Sequence, residues 1–357
     1  MSLEALQGQV PPRRILVLRP RALGDVLLTT PALRALKASF PAAALHVAVD
    51  DLLAPLLQRN PHLDRLWLLP RRRPRRQRDW WKLAWALRRQ RFDLVVDLHG
   101  SPRTALLARF TGAPQRVGYA LRGRGRLYTH RIPRDTDRRG RRVTQYAARV
   151  NLEFVARCGA GGAALDDTSL VYVPAPEAEA RMAQALSTLA PGPRVGIAAA
   201  GTWQAKTYPP ESFAQVGVQL ARAGCRVLLV WGPGERQRAA AVGAAMGGEA
   251  ILAPETNLDE LAALLARLDL LVANDSGVKH LAVARGTPTL TVCGPTSPTA
   301  WVADDPAHAW VRACVPCLEC NFTACAHHSC MRLLAPAAVA ERALRLLELR
   351  RGSTSPP

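Results

Sequence analysis

Lysine is almost missing from this chain. Of its 48 basic residues only Lys37, Lys82, Lys206 and Lys279 are lysines, so positive charge is carried by arginine. Aromatic residues are scarce at 5%. No apolar run approaches the length that crosses a bilayer, which excludes a helical membrane span. The opening MSLEALQGQVPPRR has neither a basic head nor a long apolar segment, so no signal peptide is expected and the cytoplasm is the default compartment. Three motifs are also absent. No G-x-G-x-x-G follows a strand, which argues against a dehydrogenase, and no Walker lysine motif is present, which argues against a P-loop NTPase. The lack of G-x-S-x-G argues against an α/β-hydrolase.

Acidic residues are short in one half only. Residues 1–150 hold 31 basic and 10 acidic residues, and 151–357 hold 17 and 18. An arginine-rich composition explains the choice of Arg over Lys but not this asymmetry. A basic half attracts polyanions, whether nucleic acid, anionic lipid or a phosphorylated substrate. A nucleic-acid-binding role is disfavoured because the charge is diffuse and no known module appears. With 357 residues, 48% of them apolar, the chain is long enough for two domains with a substantial core.

The organising stretch is Arg14–Phe40, RILVLRPRALGDVLLTTPALRALKASF. Residues 15–18 are a short apolar run, the pattern of a strand buried on both faces. Pro20 and Gly24 mark a loop, and helical spacing begins at Val26, with Asp25 at the expected N-cap. The same alternation continues. Strands are predicted at 45–49, 63–69, 92–98 and 116–119, with helices at 52–58, from 79, and at 102–111 and 144–158. Residues 120–142 read as a long loop and 159–176 as the link between domains. The second half repeats the plan, with strands at 195–199, 226–231, 269–273 and 289–292. Helices are predicted at 213–223, 258–267 (capped by Asn257 and Glu260), up to Ala284, and at 336–350. The tail 352–357 is expected to be disordered. The fold class is therefore α/β, two doubly wound Rossmann-like domains over 1–165 and 166–357, with a cleft between them for two substrates.

Chemistry concentrates at strand ends. The loop Asn274–His280 opens a helix, where free N–H groups attract anions. Ser276 offers a hydroxyl, Gly277 permits close approach, and His280 lies one turn on. Asp275 suits a ribose, a sugar hydroxyl or the loop itself better than a phosphate. Lys206, in the Gly201–Lys206 loop with Thr202, resembles a phosphate clamp. Glu235 follows another strand end and is either a ribose ligand or an ordinary helix-start acid. Asp25 is a cap or a catalyst.

Together R-x-R-A-L-G-D-V-L, the Lys206 loop, N-D-S-G-V-K-H-L-A and C-G-P-T-S-P resemble glycosyltransferase family 9, the ADP-heptose:lipopolysaccharide heptosyltransferases, from about Arg14 to Leu349. The resemblance implies a GT-B fold. Its N-terminal domain would bind the sugar acceptor and its C-terminal domain a nucleotide-sugar donor, ADP-heptose. It implies Asp25 as general base, Lys206 and Thr202 at the donor phosphates, Asp275, Ser276, Gly277 and His280 as the donor motif, and Glu235 at the ribose. No cofactor or catalytic metal is implied. One carboxylate without a covalent partner implies single displacement with inversion. Ser276 replaces the usual Thr, and Pro20 and Arg21 stand where small hydroxyl residues are common. Arg19, Arg21, Arg71, Arg72 and Arg73 are candidate contacts to a phosphorylated lipopolysaccharide or lipid A core acceptor at the anionic inner face of the cytoplasmic membrane, where the protein would sit peripherally. The run Arg71–Arg78 before Trp80 and Trp81 reads equally as a membrane-surface segment or as a solvated charge run beside core tryptophans. Competing readings are a GT-B transferase of another nucleotide sugar, or a nucleotide-sugar epimerase.

Cys314, Cys317, Cys320, Cys325 and Cys330, with His327 and His328, crowd into seventeen residues. An iron–sulfur cluster, a structural zinc and a metal-free packed loop all fit this spacing. The metal-free reading is preferred, since the family chemistry needs no metal there.

Overall fold

The computed structural model describes residues 10–70, 76–134, 144–201 and 203–353. The chain forms two compact units, Met1–Val173 and Pro174–Pro357. Where the sequence pattern predicts a break at 165/166, residues 166–173 stay with the first unit. Arg34 holds them there, donating to the carbonyls of Asp167 at 2.6 Å and Ser169 at 3.0 Å. The Val171 N–H adds a bond of 2.9 Å to Thr30 Oγ1.

Each unit is a six-stranded sheet, parallel throughout. The first contains β1 Arg14–Leu18, β2 Ala44–Asp50, β3 Arg65–Leu69, β4 Leu94–Asp97, β5 Gln115–Tyr119 and β6 His130–Ile132, in the order 3-2-1-4-5-6. The second contains β7 Arg194–Ala198, β8 Arg226–Leu229, β9 Ala250–Leu252, β10 Leu270–Asn274, β11 Thr289–Val292 and β12 His308–Val311, in the order 12-11-10-7-8-9. Counted from β7, that is the first unit's order again. The expected doubly wound fold is therefore present twice.

The central strands follow from their composition. Ile15, Leu16, Val17 and Leu18 are fully buried, as are Leu94, Val95 and Val96 beside them. Burying each such side chain stabilises the fold by about 1.5–3 kcal/mol. The helix Thr30–Ser39 packs the face Ala32, Leu33, Ala35 and Leu36 inward, with Pro31 in its first turn. The helix Leu258–Leu265 carries the expected capping box, Glu260 N–H to Asn257 Oδ1 at 3.0 Å and Asn257 N–H to Glu260 Oε2 at 2.9 Å. Among the described residues no helix is long and apolar enough to cross a membrane.

The first unit departs from the prediction in two places. The helix expected from Val26 is two pieces, Leu23–Leu27 and Thr30–Ser39. Asp25 therefore sits inside a first turn rather than at an N-cap. Part of the predicted loop 120–142 is ordered, with a short 3-10 turn at Arg124–Leu127 followed by β6. That strand is three residues long and reads His-Arg-Ile, so it shows no apolar run. Residues 135–142 of that loop and 354–357 of the tail lie outside the described residues, and the last helix, Pro336–Ser353, reaches into the tail.

Tyr128 connects this ordered segment to the sheet. Its hydroxyl donates to Asp97 Oδ2 at 2.7 Å, at the end of β4. A Cβ on Gly118 would lie 2.3 Å from the Tyr128 ring, so glycine is what admits the ring. Asp97 Oδ1 accepts from the N–H groups of His99 (3.0 Å) and Gly100 (2.9 Å), which fixes the loop after β4. Burial outweighs these bonds and raises the Asp97 carboxyl above the ordinary range. Tyr128→Phe removes one donor from a fully buried carboxyl. It should destabilise the fold by about 1–3 kcal/mol, read as a lower urea midpoint. An unchanged midpoint would mean that the Asp97 bond contributes nothing.

Candidate functional site

In a doubly wound sheet, neighbouring strands whose connections leave in opposite directions open a crevice at their carboxyl ends. Here those pairs are β1 with β4 and β7 with β10. The candidate residues collect at both.

In the second unit, Asn274 ends β10 and ties the two loops together. Its Nδ2 donates to the carbonyls of Ala199 (3.0 Å) and Ala200 (3.2 Å), and its Oδ1 accepts from Tyr208 N–H at 2.9 Å. Asp275 comes next and is buried. Its Oδ1 accepts from Lys279 Nζ at 2.6 Å; its Oδ2 accepts from Lys206 Nζ at 2.9 Å and Thr296 Oγ1 at 2.7 Å. Burial opposes ionisation, but Lys279, Lys206 and the bonds from Lys279 and Thr296 outweigh it. The Asp275 carboxyl is held well below the usual carboxylate range. These bonds tie the Asp275 loop to the loops that carry Lys206 and Thr296. Lys279 also donates to the Trp301 carbonyl at 2.9 Å and is 1% exposed. Lys206 keeps some exposure, 14%, and lies 4.4 Å from the Trp203 ring centroid and 5.6 Å from that of Trp301.

One carboxylate against two ammonium groups leaves the site with net positive charge. Ser276 stands at the N-cap of the helix Gly277–Ala284, yet its side chain caps nothing. Among the described residues, Ser276 Oγ and His280 Nδ1 are buried without a hydrogen-bond partner. Complete burial, reinforced by Lys279, pushes the His280 imidazole far below its ordinary value, so it is neutral at pH 7. A buried hydroxyl and a buried imidazole nitrogen left unpaired at a cationic helix start suit an anion with further polar groups.

Glu235 stands at the end of the neighbouring β8. Its Oε2 accepts from Gly232 N–H at 2.9 Å, which closes the turn before the helix Arg236–Ala245. It lines a narrow crevice with Ala199, Ala200 and Trp231. Thr202 lies outside the described residues.

The cysteine-rich segment packs on the Lys206 loop. Thr323 O accepts from Ala205 N–H at 3.1 Å, Gln204 Oε1 from Cys325 N–H at 3.0 Å, and His328 Nε2 lies 3.0 Å from Ala205 O. Cys314, Cys317 and Cys320 are exposed, Cys325 half-buried and Cys330 buried. Among the described residues no three His, Cys, Asp or Glu side chains are grouped to hold a metal.

In the first unit, Asp25 Oδ1 pairs with Arg19, and its Oδ2 accepts from Ala22 N–H at 3.1 Å. Asp25 thus supplies the acidic half of a capping box, and Ala22 has no side-chain oxygen to return the bond. Arg19 also donates to the Leu98 carbonyl after β4. Arg19 thus links Asp25, in its own loop, to the loop after β4. Arg21 lines a pocket of about 480 Å³ with His99, Ser101, Arg103, Trp80 and Asp50 among others. Burial, then Arg19 and Arg21, lower the His99 imidazole to about 4. Arg71, Arg72 and Arg73 lie outside the described residues. Asn274, Thr296, Lys279 and Asp97 escape the sequence reading; only the strand-end position of Asn274 and the T of CGPTSP hint at their roles.

The family model described as glycosyltransferase family 9 (heptosyltransferase) matches residues 80–330. The chain is 26% identical over 326 residues to lipopolysaccharide heptosyltransferase 1 of Pseudomonas aeruginosa, covering 88% of each protein. It is 28% identical to lipopolysaccharide heptosyltransferase 2 of Salmonella typhimurium, over 80% of this chain and 84% of that one. Among solved structures, a family 9 glycosyl transferase from Veillonella parvula superposes with a TM-score of 0.80 at 22% identity, covering 94% of this chain and 97% of that one. The ADP-heptose lipopolysaccharide heptosyltransferase II of E. coli gives 0.72 at 23%, with 95% and 99% covered. These likenesses show the GT-B fold.

Two outcomes test the electrostatics. Asp275 has a depressed folded-state pKa, so its contribution to stability is present above the unfolded value of about 4 and is lost as pH falls. Lys279→Met should cost about 3–5 kcal/mol near neutrality, as breaking a buried pair does. Urea titrations should show that cost shrinking below about pH 4, the unfolded carboxylate value. A pH-independent difference would remove the ion pair from the account. His99 is shifted down, so the neutral form favours the fold and stability falls between about pH 6.5 and 4. His99→Gln should flatten that part of the acid limb. An imidazole midpoint near 6.5 by NMR would contradict it.

Proposed function

The chain belongs to glycosyltransferase family 9, and from that membership we propose that it transfers heptose from ADP-heptose to the inner core of lipopolysaccharide, with inversion at the anomeric carbon. The observation that carries the reading is the cationic site around Asp275. Lys206, the helix start at Gly277 and the unpartnered Ser276 hydroxyl would meet the donor diphosphate. Glu235, beside that loop, would reach the ribose, and His280 would act as a neutral hydrogen-bonding group. Relatives named as lipopolysaccharide heptosyltransferases, and a solved neighbour described as E. coli heptosyltransferase WaaC with ADP, support this choice of donor and acceptor.

In the proposed reaction the acceptor hydroxyl attacks the anomeric carbon. Asp25 takes its proton, and the bond from that carbon to the β-phosphate oxygen breaks. The electron pair leaves with ADP, whose growing charge faces Lys206 and the helix N-terminus. Arg19 would hold Asp25 in place through their ion pair, while Arg21, His99 and Arg103, which line the pocket, would face the acceptor. The first unit thus takes the acceptor and the second the donor, on the cytoplasmic side of the membrane. No cofactor enters this scheme.

Asp25→Asn should lower kcat by about 10²–10⁴-fold, the usual worth of a general base, with ADP affinity unchanged. Near-full activity would leave Asp25 as the partner of Arg19 and the Ala22 N–H alone. Lys206→Ala should weaken ADP binding in calorimetry and also slow transfer. The donor is tested by melting the protein with ADP-, UDP- and GDP-sugars, since a ligand of the native state raises the Tm. ADP-heptose should give the largest shift. A larger shift with a UDP- or GDP-sugar would move the protein to another donor.

A further inference from the structure

The helix Arg76–Arg89 has two faces of different chemistry. Ala84 and Leu87 are buried, with Trp80 and Leu83 packed partly against the core. Trp81 and Trp85, four residues apart and so on one face, are 50% and 53% exposed. Both meet the neighbouring helix Pro102–Phe110 through Phe110, edge to face at centroid distances of 5.5 and 5.4 Å. Leu106, one turn before Phe110, is 50% exposed. The result is a contiguous aromatic and aliphatic surface spanning two helices. Of the two readings open for the tryptophans, core packing holds only for Trp80.

The rim of this surface is cationic. Arg78, Lys82 and Arg89 are exposed and share the helical face of Trp81 and Trp85, and Arg109 is exposed on the second helix. Arg88 lies over the Phe110 ring, 5.7 Å from its centroid. Together the two helices carry seven basic residues and one acidic residue, Asp79. Nothing in the proposed transfer uses Trp81, Trp85 or Leu106.

We propose that this face docks the protein on an anionic lipid bilayer. Tryptophan favours the headgroup region because its ring is apolar and its N–H is polar, and surrounding Arg and Lys meet anionic headgroups while their stems cover apolar surface. An exposed aromatic patch on a monomer marks a contact surface, and the one-signed rim selects an anionic partner. The patch also borders the acceptor-side pocket. Trp80 and Leu107 line that pocket, and Trp80 packs on Trp81 at 4.8 Å. A bilayer on this face would bring a lipid-anchored acceptor to the pocket mouth. That consequence rests on the proposed function, whereas the docking itself does not.

The test is co-sedimentation of the full chain with vesicles of phosphatidylcholine containing 30% phosphatidylglycerol, beside pure phosphatidylcholine, with no nucleotide sugar present. Binding should require the anionic lipid and weaken on adding 0.5 M salt. Trp81→Ser/Trp85→Ser should lower the partition coefficient by about tenfold or more, and Lys82→Glu/Arg89→Glu should do the same through charge. Circular dichroism and the Tm should stay at wild-type values, as should transfer to a deacylated, water-soluble acceptor. Wild-type vesicle binding by both variants would overturn the proposal. So would equal binding to neutral and anionic vesicles, or a change from dimer to monomer in the tryptophan variant, which would assign the face to a second copy of the chain. Failure of the donor assignment would leave the vesicle result standing, and failure to bind vesicles would leave the donor assignment standing.

Discussion

The carboxylate of Asp275 organises the second unit's site. It is buried at a strand end, where an isolated charge would be intolerable, and three donors make it tolerable. Those donors come from three parts of the chain: Lys206 after β7, Lys279 one turn into the next helix, and Thr296 after β11. One side chain thereby fixes three loops at the same crevice. Because two of the donors are cations, the pair balance leaves positive charge over. That excess, with the unpartnered Ser276 hydroxyl, is the property an anionic leaving group needs.

The first unit uses the same geometry with the charges arranged differently. Arg19 and Asp25 leave β1, and Arg19 crosses to the Leu98 carbonyl after β4. The switch point of the sheet is bridged by an arginine here and by Asn274 in the second unit. Both sheets share one strand order, so both place their first loop and their fourth strand's loop side by side. What differs is what the loops carry. One pair presents a carboxylate beside an arginine-lined pocket, and the other presents two lysines on a carboxylate. In the proposed transfer the first unit's carboxylate would take the proton and the second unit's cationic site would meet the diphosphate.

Much of this was legible in the sequence because buried parallel strands are apolar on both faces. Residues 15–18, 289–292 and the Asn257–Glu260 cap announce themselves by type and spacing. Of the four edge strands only β3, read at 63–69, does so. His130–Ile132, Ala250–Leu252 and His308–Val311 are three or four residues long, too short to stand out as a run. Candidate residues at strand ends were legible for the same reason as the strands. Their partners were not. Thr296 lies 21 residues from Asp275 and Arg19 crosses 79 residues to Leu98, and no local pattern encodes such contacts. Lys279 was hidden differently. It sits within a recognisable motif, at a position that helical spacing alone would leave on the surface, and only burial against Asp275 reveals its role. The cysteine-rich segment stood out by composition, but its hydrogen bonds to the Lys206 loop became visible only in three dimensions.

The central claim is that the Asp275 network presents Lys206 and the Ser276 helix start to a nucleoside diphosphate. The most direct measurement is a crystal structure of the full chain with ADP. The account predicts the β-phosphate within about 3 Å of Lys206 Nζ and Ser276 Oγ, as charge-assisted hydrogen bonds require, with Asp275 still bound to Lys279 and Thr296. ADP bound elsewhere, or bound here with Lys206 turned away from its phosphates, would contradict it.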